Sequence, residues 1–387
     1  MPPLQNKSIL ISGAGIAGPA LAHWLLKYGF TVTVVERSPG IRSGGQAIDF
    51  KGAVHDSVIS RMGIKDTIYA NQTGGTDLPI VNSEGTLQTV MAATFTGGDV
   101  EIRRGDLGRI LYDLSASECE YRFGESITAL EESEDGVQVS FRSGATQRFD
   151  LVVGADGMHS NTRRLIFGPE TSYVKNTGWF YALADVENPG GPWMYNEPGR
   201  MASIGGPKAP AFFVFQCDEE GLSSAAPEKQ RETLASIYGD GGFKIPELLS
   251  ALPNAGDFYM DSISRVEMKD FTKGRVVLLG DSAYGNTLGG FGTGLAVVGA
   301  YVLAGELALA SGDHEVAFAK YQVAMKRYSS GGNQGNAGRF LAPRTKRGIR
   351  LRNLFFKYSF LFSALEKLTD RFATDIELKD YEKLIGL

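Results

Sequence analysis

Between residues 8 and 36 the chain runs through an apolar β-type stretch, a spaced set of glycines, a helical stretch and a second β-branched run ending in an acid. Ser8-Ile9-Leu10-Ile11-Ser12 suits a strand buried on both faces. Gly13, Gly15 and Gly18 follow in the pattern G-x-G-x-x-G, then Leu21, Trp24, Leu25 and Tyr28 at helical spacing, with Gly29 placed to end the helix. Thr31 to Val35 is the second strand, closing on Glu36 and Arg37. A strand–helix–strand unit this short implies a parallel sheet with a right-handed crossover. The glycines have separate uses: Gly13 permits the turn, Gly15 lets the backbone approach a pyrophosphate, and Gly18 lets helix and strand pack closely. The phosphate charge meets free N–H groups at the positive end of the helix. Glu36, 21 residues after Gly15, is placed to accept hydrogen bonds from ribose hydroxyls. The unit predicts dinucleotide binding.

Two later apolar runs also end in Gly/Asp pairs, Leu151-Val152-Val153-Gly154-Ala155-Asp156-Gly157 and Val276-Val277-Leu278-Leu279-Gly280-Asp281. Both read as buried strands whose carboxyl ends carry an aspartate, at the edge where open α/β sheets bind ligands. Between them, residues of about 175–265 alternate in polarity, which predicts an antiparallel sheet with a helix near Glu228 to Tyr238. Leu295 to Leu309 has helical periodicity after Gly292 and Gly294. A last helical stretch over about 345–385 places Leu351, Leu354, Phe355, Tyr358, Leu361, Phe362, Leu365, Leu368 and Phe372 on one broad face. The predicted fold class is α/β: a Rossmann-like dinucleotide-binding domain with a parallel sheet, a substrate domain with an antiparallel sheet, and a C-terminal helix. The predicted division is dinucleotide-binding domain 1–75, 101–170 and 267–330, substrate domain 76–100 and 171–266, and a C-terminal helical segment 331–387.

Glu36 alone does not choose between NAD and FAD. Asp156-Gly157-Met158-His159-Ser160-Asn161-Thr162-Arg163 and Gly280-Asp281-Ser282-Ala283, together with the glycine loop, resemble the flavin-dependent aromatic hydroxylases of the para-hydroxybenzoate hydroxylase type, in that family's order and over nearly the whole chain. Within that family the chain looks most like the tetracycline-inactivating monooxygenases, through Gly44-Gly45-Gln46-Ala47-Ile48-Asp49, Glu101-Ile102-Arg103-Arg104-Gly105-Asp106-Leu107 and Val298 to Leu307. The resemblance implies a single-component enzyme in which NADPH or NADH reduces FAD and one atom of dioxygen enters a phenol or enol. It implies that Asp281 holds the ribityl part of FAD, that Asp156 lies near FAD and the passing nicotinamide, that Asp49 and Arg104 contact FAD, and that Arg42 meets the nicotinamide cofactor transiently. It implies that Arg200 lines the substrate site, and that the C-terminal helix stands at that site's entrance. Phe212, Phe213 and Phe215 offer an aromatic wall beside Arg200. The chain departs from the family pattern at Tyr284, where a histidine is usual, at Leu295, and at Leu183, where tetracycline enzymes carry a glutamine.

Net charge is −5, which argues against a nucleic-acid partner. Cys119 and Cys217 form no CxxC pair, and the four histidines show no metal spacing, so neither a disulfide scaffold nor a metal site is expected. No long uncharged apolar run is seen, and Met1 to Lys7 has no leader pattern, so a cytoplasmic protein without a membrane span, acting as a monomer, is expected. The expected partners are a polycyclic aromatic small molecule and dioxygen. A reductase that never activates oxygen, a hydroxylase of simpler phenols and a flavin redox sensor are the competing readings. A halogenase is disfavoured because Trp24, Trp179 and Trp193 stand apart.

Overall fold

The computed structural model describes residues 3–93, 98–187, 190–206, 209–289, 292–330, 336–357 and 376–387. Ser8–Ser12 is the central strand of a six-stranded sheet. It pairs in parallel with Thr31–Glu36 on one side and Leu151–Gly154 on the other. Glu120–Phe123 and Val276–Leu278 extend the parallel set outward, and Thr272–Lys273 adds an antiparallel edge. The apolar runs are continuous because both faces are covered, as buried parallel strands require. Ile9 and Ile11 face the helices Ala17–Lys27 and Gly292–Leu309. Leu10, Val35, Val152 and Val276 face an antiparallel meander of Ile127–Ser133, Gly136–Phe141 and Thr146–Phe149. That meander was not anticipated.

The second sheet has seven strands in the order Phe258–Val266, Val174–Ala184, Ala211–Gln216, Arg200–Ile204, Trp193–Glu197, Leu78–Val81, Leu87–Met91. It is antiparallel except where Trp193–Glu197 runs parallel to Leu78–Val81. Its two faces have different neighbours. Phe180, Ala202, Phe213 and Phe215 pack beneath the helices Pro227–Tyr238 and Ile245–Ala251. Tyr181, Leu183, Met194, Met201 and Val214 face the other way, toward Leu288 and Phe356.

The helix Gly292–Leu309 is the one helix among the described residues long and apolar enough to cross a membrane, yet 83% of that span is buried inside the protein. It is a core helix. The predicted C-terminal helix is two described helices, Lys346–Lys357 and Tyr381–Ile385. Tyr358, Leu361, Phe362, Leu365, Leu368 and Phe372 lie outside the described residues. The expected apolar face is turned outward at Leu351 and Leu354, which are 70% and 47% exposed. Arg352 takes the buried side instead, donating to the Asn196 side-chain oxygen at 2.7 Å and the Leu341 carbonyl at 3.1 Å. Fixing that guanidinium on the seven-stranded sheet sets which face of the helix looks inward. The final helix returns to the first domain, where the Tyr381 ring fills the notch at Gly305 and its hydroxyl donates to Glu306 Oε1 at 2.8 Å.

Candidate active site

The carboxyl ends of the parallel strands bring the glycine loop, Asp156 and Asp281 to one edge. Gly13 has φ +109°, and a Cβ there would stand 2.4 Å from the Ala155 carbonyl oxygen. A Cβ on Gly18 would stand 1.9 Å from the Gly13 carbonyl oxygen. These two glycines are required by the protein's own packing. Gly15 is different: a Cβ there would meet only Arg104 Nη2, at 3.4 Å. Its space is open toward the site. Ile16 gives the following helix no side-chain cap and its first turn holds no acid, so its N–H groups remain available to an anion.

Glu36 braces the loop, accepting from the Ala14 amide at 2.9 Å and the Ser38 amide at 2.8 Å. Both carboxylate oxygens keep lone pairs for a ribose. Arg37 is exposed beside it. Arg104 opens the helix Arg104–Asp113, its stem packed along Gly45 and its guanidinium beside Gly15. Among the described residues that guanidinium has no hydrogen bond or ion pair, which suits a phosphate contact.

Asp281 begins the short helix Asp281–Tyr284. Solvent reaches its side chain, but protein surrounds it: desolvation raises its pKa, and Arg104 works against the rise. No described residue donates a hydrogen bond to this carboxylate, and Gly292 lies 3.8 Å from Oδ1 by its would-be Cβ. An unsatisfied acid beside a glycine helix start fits the hydroxyls of a ribityl chain. Asp49 is pushed up to about 7 by burial and by Glu101, against the pull of the Gly98 amide, which donates to Oδ1 at 3.0 Å.

Asp156 is spent within the protein. It accepts from Thr162 through both the amide and the hydroxyl at 2.8 Å, and from Ser160. It organises the start of the helix Asn161–Phe167. Gly294 also serves packing, since the His55 imidazole occupies the place of its Cβ. Tyr284 points into the core, 6% exposed, with its hydroxyl 3.3 Å from that of Tyr321. That departure from the family pattern therefore changes the core.

The structure moves two expected substrate residues. Arg200 and Phe213 lie on the helix-covered face of the seven-stranded sheet, because strand alternation puts them with Ala202 and Phe215. Arg200 is occupied by Glu197, by Asp240 at 2.7 Å and by the Ile237 carbonyl. The wall turned toward Asp281 and Leu288 instead carries Tyr181, Leu183, Met201, Phe212 and Tyr259. Several residues of this region escaped sequence reasoning. His159 Nε2 is 3.0 Å from both Asp261 oxygens, its Nδ1 is 2.9 Å from Glu170 Oε1, and Tyr259 donates to Asp261 Oδ2 at 2.8 Å. The Asp261 contact, opposed by burial, raises His159 to about 9. Burial disfavours the Asp261 anion, but His159 and Tyr259 outweigh it and hold the pKa below the usual range.

The residues present thus fit FAD: an uncapped helix start, an open Gly15, an unpaired Arg104 and an unsatisfied Asp281. A Rossmann-type sheet bearing this site and joined to a second, largely antiparallel sheet defines a dinucleotide-dependent oxidoreductase. The chain belongs to the FAD binding domain family, whose model matches residues 6–316. It is 38% identical over 332 residues or more to relatives that include a flavin-dependent monooxygenase from an unidentified prokaryote, which it matches over 337 residues, 84% of this chain and 87% of that protein. The crystal structure of tetracycline destructase Tet(51) matches 98% of this chain and 100% of its own, with 31% identity and a TM-score of 0.83. That of Tet(55) covers 97% and 99%, with 34% identity and a TM-score of 0.82. The protein is an FAD-dependent monooxygenase.

Proposed function

We propose that the enzyme takes electrons from NADPH or NADH and hydroxylates a polycyclic phenol or enol, with tetracyclines as the substrate class. The observation that carries this reading is the likeness to two tetracycline destructases along essentially the full chain. Bound FAD supplies the redox chemistry, accepting two electrons and activating dioxygen. Each turnover converts a substrate C–H into C–OH, releases the other oxygen atom as water and leaves NAD(P)+.

The chain's own residues bind, orient and exclude water. Asp281, Arg104, Asp49, Glu36 and the glycine loop hold the cofactor. Tyr181, Leu183, Phe212 and Met201 present a broad apolar wall suited to a fused-ring ligand, and a dry wall protects the oxygen-activating step from wasteful peroxide release. Arg42 is exposed on the approach and meets the nicotinamide cofactor. A cytoplasmic setting, where nicotinamide cofactors are reduced, and action as a monomer belong to the same reading.

The test is to incubate purified holoenzyme with a tetracycline, NADPH or NADH, and air. The expected result is loss of the tetracycline chromophore with a product heavier by one oxygen atom. If several tetracyclines are untouched while a simple phenol is hydroxylated efficiently, the substrate reading fails.

A further inference from the structure

The helix Lys346–Lys357 has its polarity reversed. Its one buried residue is a cation, Arg352, while Leu351 and Leu354 are exposed. A helix laid on a sheet ordinarily does the opposite. Burial lowers Arg352 from 12.5 to about 10, so the arrangement works against the charge. Contacts with the seven-stranded sheet and its surroundings hold it there: Arg352 donates to the Asn196 side-chain oxygen and the Leu341 carbonyl, and its guanidinium lies 5.6 Å from the Phe356 ring centroid. Rolling the helix to bury its leucines would strip a buried arginine of those acceptors.

The outward face has a defined chemistry. Arg347, Arg350, Leu351 and Leu354 follow at spacings of three and four, which stacks them on one side of the helix. All four are exposed, as are Lys346 and Lys357. Residues 344–357 carry six cations and no acid, in a chain whose net charge is −5. Among the described residues, no side chain of Lys346, Arg347, Arg350 or Lys357 makes a hydrogen bond or ion pair. Leu87 and Val90, on the edge strand Leu87–Met91 that the helix lies against, are exposed as well. Phe356 packs into the cluster of Tyr181, Leu183 and Met201, so the helix lies on the face of the sheet that carries the apolar wall.

Two leucines bordered by unpaired cations match the boundary of a bilayer, where acyl chains lie beneath phosphates. We propose that this helix is a docking surface for an anionic lipid bilayer: Leu351 and Leu354 enter the acyl boundary while Lys346, Arg347, Arg350 and Lys357 meet headgroup phosphates. Insertion this shallow gives reversible, peripheral attachment. A second copy of the chain fits the face less well, because a two-fold axis would set cation against cation.

Flotation of the full-chain holoenzyme with vesicles tests this. Wild type should bind phosphatidylcholine vesicles that contain phosphatidylglycerol at least about fivefold more strongly than phosphatidylcholine alone, and high salt should reverse the gain. Replacing both leucines, Leu351→Ser with Leu354→Ser, should weaken partitioning at least about tenfold. Arg347→Glu with Arg350→Glu should weaken it as much, on the anionic vesicles only. All four side chains are exposed, so melting temperature and FAD content should match the wild type in both variants. Trp24, Trp179 and Trp193 are buried, which leaves Leu351→Trp as a reporter. Its emission should shift to the blue, and be quenched by brominated acyl chains, when anionic vesicles are added. Wild type that stays in the soluble fraction, or flotation indifferent to either pair of substitutions, overturns the proposal. So does a reporter already blue-shifted without lipid and unmoved by it, which would show that another part of the chain covers the face. Self-association without flotation, abolished by Leu351→Ser with Leu354→Ser, would assign the face to a second copy and overturn the proposal too.

Discussion

Arg163 reaches across 119 positions of chain to donate from Nη1 to the Ser282 carbonyl oxygen at 3.0 Å. Its other arm donates to the Met158 carbonyl at 2.5 Å, and the residue is fully buried. The aspartate–glycine element and the element that opens at Asp281 are therefore one braced unit. Ser282 adds to the brace by donating to the Gly154 carbonyl oxygen at 2.5 Å.

Replacing Arg163 should loosen that unit. Arg163→Met leaves two carbonyls without their charged donor, and losing such bonds costs about 1.5–3 kcal/mol each. The expected outcome is a clear fall in thermal stability together with weaker FAD retention, followed by calorimetry and flavin fluorescence. Unchanged melting would show that the brace is dispensable.

The three motif glycines should separate by mechanism. Gly18→Ala places a methyl 1.9 Å from the Gly13 carbonyl oxygen, so the strand–helix turn must shift and the apoprotein itself should be destabilised. Gly15→Val faces open space beside Arg104, so the apoprotein should melt near the wild type while FAD binding is lost. Equal damage to apoprotein stability from both substitutions would refute the distinction.

Asp281→Ala tests the cofactor site from the other end. This carboxylate accepts nothing from the described residues, so its removal leaves no protein donor stranded. Apoprotein stability should hold or rise as a desolvated acid is removed, while FAD affinity falls at least about tenfold. Equilibrium titration of apoprotein with FAD measures it.

Much of this was legible in the sequence because the signals were local. The glycine spacing, the two apolar runs ending in Asp156 and Asp281, and the helix near Glu228 to Tyr238 each lie within a short window. The meander went unread, although Val137, Val139 and Phe141 alternate with Gln138 and Ser140. What could not be read is which face of a strand meets which neighbour. Arg200 and Met201 are adjacent, and alternation puts one of them on the face turned toward Leu288 and Asp281, but only the packing of Pro227–Tyr238 decides which. The His159–Asp261 pair joins residues 102 apart, and Asp156 could be a cofactor ligand or a cap until Thr162 is seen donating to it.

The His159–Asp261 pair should leave a mark on stability against pH. His159 is raised from 6.5 to about 9 by Asp261 first, against desolvation, with Glu170 adding to the rise. A group raised on folding adds stability that is fully present below its unfolded value and lost as pH climbs through its folded value. Asp261 is lowered, so its contribution fades as pH falls below the ordinary carboxylate range. The melting advantage of wild type over His159→Gln should therefore be largest near pH 5–6.5 and decline toward pH 9. An advantage that grows from pH 6.5 to 9 would contradict the pairing.

The two faces of the seven-stranded sheet give the sharpest contrast. Arg200 touches Glu197, Asp240 and the Ile237 carbonyl, and its guanidinium lies 5.7 Å from the Tyr238 ring centroid. Removing it strands Glu197, which also accepts from the Tyr195 hydroxyl at 2.8 Å. Arg200→Ala should then lower thermal stability by about 1–3 kcal/mol, as expected for breaking a part-buried charged cluster, with the substrate KM little changed. Leu183 is on the opposite face, among Tyr181, Met201 and Val214, and only 5% exposed. Leu183→Gln introduces an amide into that apolar wall, so it should change the substrate KM and the choice among substrates while leaving FAD content intact. If Arg200→Ala instead raises KM at unchanged stability and Leu183→Gln is silent, the substrate binds beneath the helices and the assignment of faces is reversed.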